Sequence, residues 1–324
     1  MNARSRTPAP TQALAKANVS HRQVAHAGLT WLDMIQPGIP EVSYLRERFA
    51  FDALTLEDVL SKIQRPKLDV YAESEYLFIV LHFPVFDTRN RRTNSSEIDL
   101  FVGPDYLVTL HEGDLKPLRR MFAAVNSDEQ AREQLLGRGP GYLLYRIIDA
   151  LVRYCFPMLY RVDDQIAGLE TQIFGRNVRE TIQELALVRR DSIALRQIIK
   201  PNLPVIRMLA ARERAFLQLD AEIYFGDVAD GIRKLWDMLE EQKEVVDGLN
   251  TTSDSLISQR ISEVLKILTV IALVLLPIMV VAGIYGMNLD LPFAQHPFAF
   301  GLIVLVMFGT AAGMVAYLRY KDWI

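Results

Sequence analysis

The sequence has a single cysteine, Cys155, so no intrachain disulfide can brace it. Its five histidines, at 21, 26, 82, 111 and 296, include no pair at metal-site spacing. Disulfide scaffolds and zinc folds are thereby excluded. The net charge of -3 lacks the basic excess of a nucleic-acid binder, so no nucleic-acid partner is expected. No phosphate-binding glycine loop follows a strand and His111-Glu112 lacks the second histidine of a zinc protease helix, so neither a nucleotide partner nor an enzyme is expected. Residues 1–20 carry Arg4, Arg6 and Lys16 but no apolar stretch, and read as a mobile tail rather than a signal peptide.

Charge is also missing from two long stretches near the end of the chain, Ile267–Ile284 and Phe298–Leu318. Each is long enough to cross about 30 Å of hydrocarbon as a helix rising about 1.5 Å per residue. A buried core helix is the alternative for one such run, but two in tandem point to a membrane. Lys266 precedes the first run and Arg319 and Lys321 follow the second, whereas residues 285–297 hold no Lys or Arg. The positive-inside rule then puts both chain ends in the cytoplasm of an inner or plasma membrane, in contact with lipid, with Tyr320 and Trp323 at the inner interface.

Upstream, short apolar runs at Leu29–Met34, Glu75–Phe83, Glu97–Gly103 and Asp105–Glu112 read as strands, with a hairpin turn at Gly103-Pro104-Asp105. Helical spacing appears at Val42–Phe51 and Leu56–Ile63, the latter with Thr55 as N-cap and Asp58 at the capping-box position. After about Leu115 the pattern is helical. Gly139-Pro140-Gly141 opens a helix that Gly175 and Asn177 close, and a second runs to about Lys200. From Val205 to Leu276 there is no proline, which predicts one unbroken helix entering the bilayer. The expected fold class is an α+β cytosolic domain, a long stalk helix and two C-terminal transmembrane helices. Its divisions are a tail (1–20), an α/β domain (21–127), a helical region (128–203), a stalk (204–265), a first span (266–288), an external loop (289–297), and a second span with a basic tail (298–324).

Small and apolar residues recur every three or four positions at Ser258, Ser262, Leu265, Thr269, Ala272, Leu276, Met279 and Gly283. This is a seam where parallel helices meet face to face. It serves either packing against the second span or a bundle around a pore.

The first span ends in Tyr285-Gly286-Met287-Asn288, and a basic-aromatic tail follows the second span. With the segments Leu56–Leu60, Gln64–Lys67, Ala221–Val228, Asn250–Asp254 and Glu263–Thr269, this resembles the CorA family of divalent-cation channels over most of residues 30–324. The resemblance implies a funnel-shaped homopentamer in which the first span lines the pore. Asn288 side chains and the carbonyls of Gly286 and Met287 would hold a hydrated ion, because Mg2+ sheds water reluctantly. Asn288 also suits a helix C-cap. Leu265, Leu268 and Leu276 would form apolar constrictions, and Pro277 would free carbonyls toward the pore.

Family gating by divalent ions between neighbouring cytosolic domains implies regulatory ligands at Asp227 and Asp230, with Asp87 as partner, although all three also suit an ordinary solvated surface. The loop departs from the family's Met-Pro-Glu-Leu: Asp290 is its only acid, and His296 is a softer ligand nearby. Mg2+, with Co2+ and Ni2+, is the expected substrate and regulator, and Zn2+ is the alternative because imidazole suits it better. A membrane-anchored divalent-ion sensor that does not conduct is the reading from another class.

Overall fold

The computed structural model describes residues 20–61, 64–173, 178–287, 297–321 and 323. The chain divides into two compact units, Met1–Asp247 and Gly248–Ile324.

The first unit is built on a six-stranded sheet of β1 (Arg22–His26), β2 (Leu29–Ile35), β3 (Lys67–Tyr71), β4 (Tyr76–Asp87), β5 (Arg92–Val102) and β6 (Tyr106–His111), in the order β1-β2-β6-β5-β4-β3. Every neighbouring pair is antiparallel except β2 and β6. That parallel pair requires a long crossover, which here carries α1 (Ile39–Phe49), α2 (Ala53–Leu60) and strands β3 to β5. The expected turn at residues 103–105 closes the β5–β6 hairpin, with the Gly103 N–H donating to the Tyr106 carbonyl at 3.0 Å.

Side-chain alternation gives the sheet two apolar faces. On one, Leu32, Met34, Phe78, Val80, Phe101 and Val108 pack with Val42 and Leu45 of α1 and Leu56 of α2. The rings of Phe51 and Phe101 stack with centroids 4.2 Å apart. On the other face, Trp31 meets Phe122 edge-on, and α5 (Pro140–Gln172) and α6 (Val178–Ile199) contact β4 and β5. Phe122 belongs to α3 (Lys116–Ser127), which with α4 (Glu129–Leu136) contacts α5, α4 also touching β1 and β2.

Beyond its pairing with β3, the outer edge of β4 is closed by the start of α7 (Asn202–Ala210). The Asn202 side chain accepts from the His82 N–H at 3.1 Å and donates to the His82 carbonyl at 2.6 Å. A side-chain amide thus substitutes for a missing strand at a sheet edge.

Two expectations are corrected. The N-cap of α2 is Asp52, whose Oδ1 accepts from the Leu54 N–H at 2.9 Å. Thr55 instead bonds the Tyr71 hydroxyl at 2.5 Å, and Asp58 receives Lys67 Nζ at 2.5 Å. The proline-free stretch after Val205 is not one helix, because α7 ends at Ala210 and a 3-10 turn covers Ala215–Leu217. Gln218 then adopts a left-handed φ of 51°, and Asp220 Oδ1 accepts from the Ile223 N–H at 3.0 Å. This breaks one helix and caps the next, α8 (Ala221–Tyr285, 65 residues). Helix α5 ends at Gln172, and the closure expected at Gly175 and Asn177 lies outside the described residues. At its other end a Cβ on Gly141 would run into the Leu217 carbonyl, so glycine there lets α5 pack against the 3-10 turn.

Helix α8 begins in the first unit and ends in the second. Within the first, Gln242 is buried and donates to the Leu159 carbonyl at 3.0 Å and to Asp163 at 2.6 Å. The second unit consists of the rest of α8 and α9 (Ala299–Tyr320).

Candidate functional site

Apolar side chains in the second unit are exposed, the reverse of a soluble core. Leu265, Leu268, Leu276 and Met279 keep 57, 57, 56 and 66% of their surface open. Both helices are long and apolar enough to cross a membrane, and none of the apolar window of either is buried within the chain.

Exposure is not uniform around α8. Val270, Leu273, Val274, Pro277, Ile278 and Val281 are half-shielded, as are Ile303, Val304, Met307, Ala311, Met314 and Val315 of α9, and Leu318 is buried. At about 100° per residue, the half-shielded α8 positions fall on one face and the stripe from Ser258 to Gly283 lies roughly opposite. Packing within the unit therefore leaves Ser258, Ser262, Leu265, Leu268, Thr269, Ala272, Leu276, Met279 and Gly283 exposed. The seam is not spent on the second span.

The hydroxyls on the stripe turn back onto the helix. Ser262 Oγ donates to the Ser258 carbonyl at 2.9 Å and Thr269 Oγ1 to the Leu265 carbonyl at 2.7 Å, so both keep an acceptor lone pair facing outward. Pro277 has no N–H for the Leu273 carbonyl, but both residues lie on the half-shielded face.

At the end of α8 the Gly286 N–H donates to the Ala282 carbonyl at 2.9 Å and the Met287 N–H to the Ile284 carbonyl at 3.3 Å. A Cβ on Gly286 would stand 3.0 Å from the Ala282 oxygen, too close for comfort against backbone. Tyr285, Gly286 and Met287 are all exposed, whereas Asn288, Asp290 and His296 lie outside the described residues.

The three acids expected to regulate are not gathered in one chain. Asp87 accepts from the Asn90 side chain at 2.6 Å and from the N–H groups of Arg89 and Asn90 at 2.9 and 3.3 Å, bonds that hold its carboxyl below the usual range. It organises the β4–β5 turn. Asp230 pairs with Arg233 at 2.6 Å, while Asp227 is exposed on α8 and its charge reaches Tyr145 and Arg153. Among the described residues, no group of three or more His, Cys, Asp or Glu side chains is placed to hold a metal.

Sequence reasoning missed a buried network inside the sheet. Asp33 binds Arg22, accepts from Thr109 Oγ1 at 2.6 Å, and meets His111 Nε2 at 3.1 Å. Burial pushes the Asp33 carboxyl up, but bonds from His111, Thr109 and Arg22 outweigh it and hold the group below its usual value. The signal available was polar residues at apolar-run positions of two strands.

An α/β domain whose last helix continues into an exposed pair of apolar helices is the build of an integral membrane protein. The CorA-like Mg2+ transporter protein family matches residues 26–320, and the chain belongs to that family of divalent metal-ion transporters. It is 30% identical to the cobalt/magnesium transport protein CorA of Thermotoga maritima over 302 residues, 91% of this chain and 83% of that protein. Its fold is similar to the complete structure of the CorA magnesium transporter from Methanocaldococcus jannaschii, with a TM-score of 0.78, 22% identity, and coverage of 91 and 92% of the two chains. It is also similar to the zinc transport protein ZntB of Pectobacterium atrosepticum, 23% identical over 210 residues, 64% of this chain and 63% of that protein.

Proposed function

We propose that the protein is a passive, gated divalent-cation channel, assembled as a homopentamer around the α8 stripe and carrying Mg2+, with Co2+ and Ni2+ as companions. The observation that carries this reading is the exposed stripe from Ser262 to Gly283, which lies opposite the face shielded within the unit and leads directly into Gly286-Met287-Asn288. Exposed apolar surface toward lipid is unremarkable, but small and hydroxyl-bearing residues are used where helices meet or water enters.

In such a bundle Leu265, Leu268 and Leu276 form rings that exclude water when closed, and Ala272 leaves a wider segment between them. The ring of Gly286 and Met287 carbonyls and Asn288 side chains holds the ion through its hydration water. Neutral oxygens suit this task, since a site that bound Mg2+ tightly would not release it. Five copies of Asp290 concentrate cations at the outer mouth, where His296 is a second ligand. A divalent ion gains about 4.6 kcal/mol per 100 mV of inside-negative potential, so influx into the cytoplasm needs no nucleotide. Asp227, exposed on α8, supplies the regulatory contact to a neighbouring protomer. Asp87 and Asp230 are committed to local bonds and are left out of that contact.

The similarity to ZntB, together with His296 and the altered loop, supports Zn2+ as the second choice of ion. Ion uptake into proteoliposomes under an imposed negative potential tests the proposal, with Mg2+ and Zn2+ indicators side by side. Mg2+ uptake that falls to the level of empty vesicles in Asn288→Ala is the expected outcome. Zn2+ uptake without Mg2+ moves the protein to the zinc reading. Absence of both, with ions still bound to the first unit, favours a sensor.

A further inference from the structure

A polar cavity of about 430 Å3 opens on the α1–α2 side of the sheet, beyond the C-terminal end of α2. It lies in the first unit and has no part in the pathway proposed above. Asp99 lines it, 4% exposed, and its Oδ1 is shut off from solvent without a hydrogen-bond partner. Leaving such groups unpaired is costly, so a buried orphan carboxyl oxygen marks a place where a donor belongs.

The surrounding charges say what sort of donor. Glu97, Glu112 and Asp114 also line the cavity, and among the described residues no Lys or Arg does. Both histidines are committed to carboxylates, His82 to Glu97 at 2.9 Å and His111 to Asp33 at 3.1 Å. Lys67, whose charge reaches Asp99, is bound to Asp58 and Asp69 at 2.5 and 2.8 Å. Among the described residues the site therefore has acids in excess of cations. Direct metal chelation does not fit, because among the described residues no three such donors converge. Val59, Leu60 and Leu110 supply an apolar wall beside the acids, and the volume lies in the range of small-molecule sites, roughly 300–1,000 Å3.

We propose that this cavity binds a small organic cation, a primary alkylamine or diamine, with its ammonium on Asp99 and Glu97 and its carbon chain against Val59, Leu60 and Leu110. When the cavity is empty, burial, with Glu97 nearby, pushes the Asp99 carboxyl well above its usual range and favours its neutral form. Arrival of an ammonium converts that carboxyl to a carboxylate, and the displaced proton leaves to solvent, so charge balances.

Calorimetric titration of the full chain in detergent with 1,4-diaminobutane tests this, run in two buffers of different ionisation enthalpy, with MgCl2 and NiCl2 titrated separately. Saturable amine binding that releases a proton is expected. Asp99→Asn lowers the affinity at least about tenfold and abolishes the proton release, consistent with loss of a charge-assisted bond. Leu60 is 42% exposed, so Leu60→Trp obstructs the cavity without disturbing the core and weakens binding while leaving thermal unfolding unchanged. The proposal is overturned if the amine gives no saturable heat, or if its binding survives both variants. It is also overturned if Mg2+ or Ni2+ saturates the site, losing its binding in Asp99→Asn, while the amine does not bind. No transport is read in this experiment, so its failure leaves the channel proposal standing.

Discussion

In the sheet domain Phe101, Leu81 and Ile98 have no exposed surface, whereas in the two-helix unit Leu265, Leu276 and Met279 keep more than half of theirs. The residue types are the same in both places. What differs is the partner: strands and helices of one chain satisfy the first set, and α8 with α9 shields only one face of the second. In the proposed channel, the exposed remainder meets lipid on one side and further copies of α8 on the other. On that proposal one unit is complete as a single chain, and the other becomes a site only through assembly.

The widest separation between the regions is expected for large-to-small substitutions. Phe101→Ala removes a ring stacked on Phe51 and should destabilise the sheet domain by about 3–5 kcal/mol in thermal or denaturant unfolding. Leu276→Ala, at an exposed stripe position, should shift that unfolding by less than about 0.5 kcal/mol, yet raise ion leak through a widened constriction. Equal destabilisation by the two would break the comparison.

A smaller effect, of about 3 kcal/mol, is expected for Asp33→Asn, which leaves His111 buried beside a neutral partner. Its pH dependence sharpens the point. The folded Asp33 carboxyl sits below its unfolded value, so its contribution is fully present above the unfolded value and is lost as pH falls through the folded one. Asp99 has the opposite sign: its raised value costs stability as pH climbs above the ordinary carboxylate range. Unfolding curves between pH 3 and 8 should therefore show Asp33→Asn losing its penalty in acid, and Asp99→Asn gaining stability toward pH 8. Smallest is Asn202→Ala, at about 1–2 kcal/mol, because it strips the amide that closes the β4 edge at His82.

Much of the membrane unit was legible in the sequence because composition and period encode it. Absence of charge marks the spans, and the spacing of three and four picks out Ser262 to Gly283. Elements defined by local bonds were harder to read. Proline-free sequence after Val205 looked continuous because the break at Gln218 and Asp220 rests on a left-handed residue and a side-chain cap. Asp52 and Thr55 are both good caps by residue type, and only Tyr71 arriving from β3 claims Thr55 for another bond. Edge strands β1 and β3, five residues each, mix polar with apolar side chains and carry little signal. Nothing in the local sequence marks the turn that Asp87 closes, where its oxygens accept from the Arg89 N–H and the Asn90 side chain. Buried Asp33 and Asp99 could not be told from solvated acids without knowing which strand face each occupies.

Thiol accessibility tests most directly whether the exposed stripe of α8 lines a water-filled path. Cys155 is buried, and burial pushes its thiol up to about 12, so the native cysteine stays silent toward a water-soluble thiol reagent. Ala272→Cys lies on the stripe and Val274→Cys on the half-shielded face. Reagent should stop Mg2+ uptake into proteoliposomes for Ala272→Cys and leave Val274→Cys conducting. Block at Val274→Cys with none at Ala272→Cys would contradict the account.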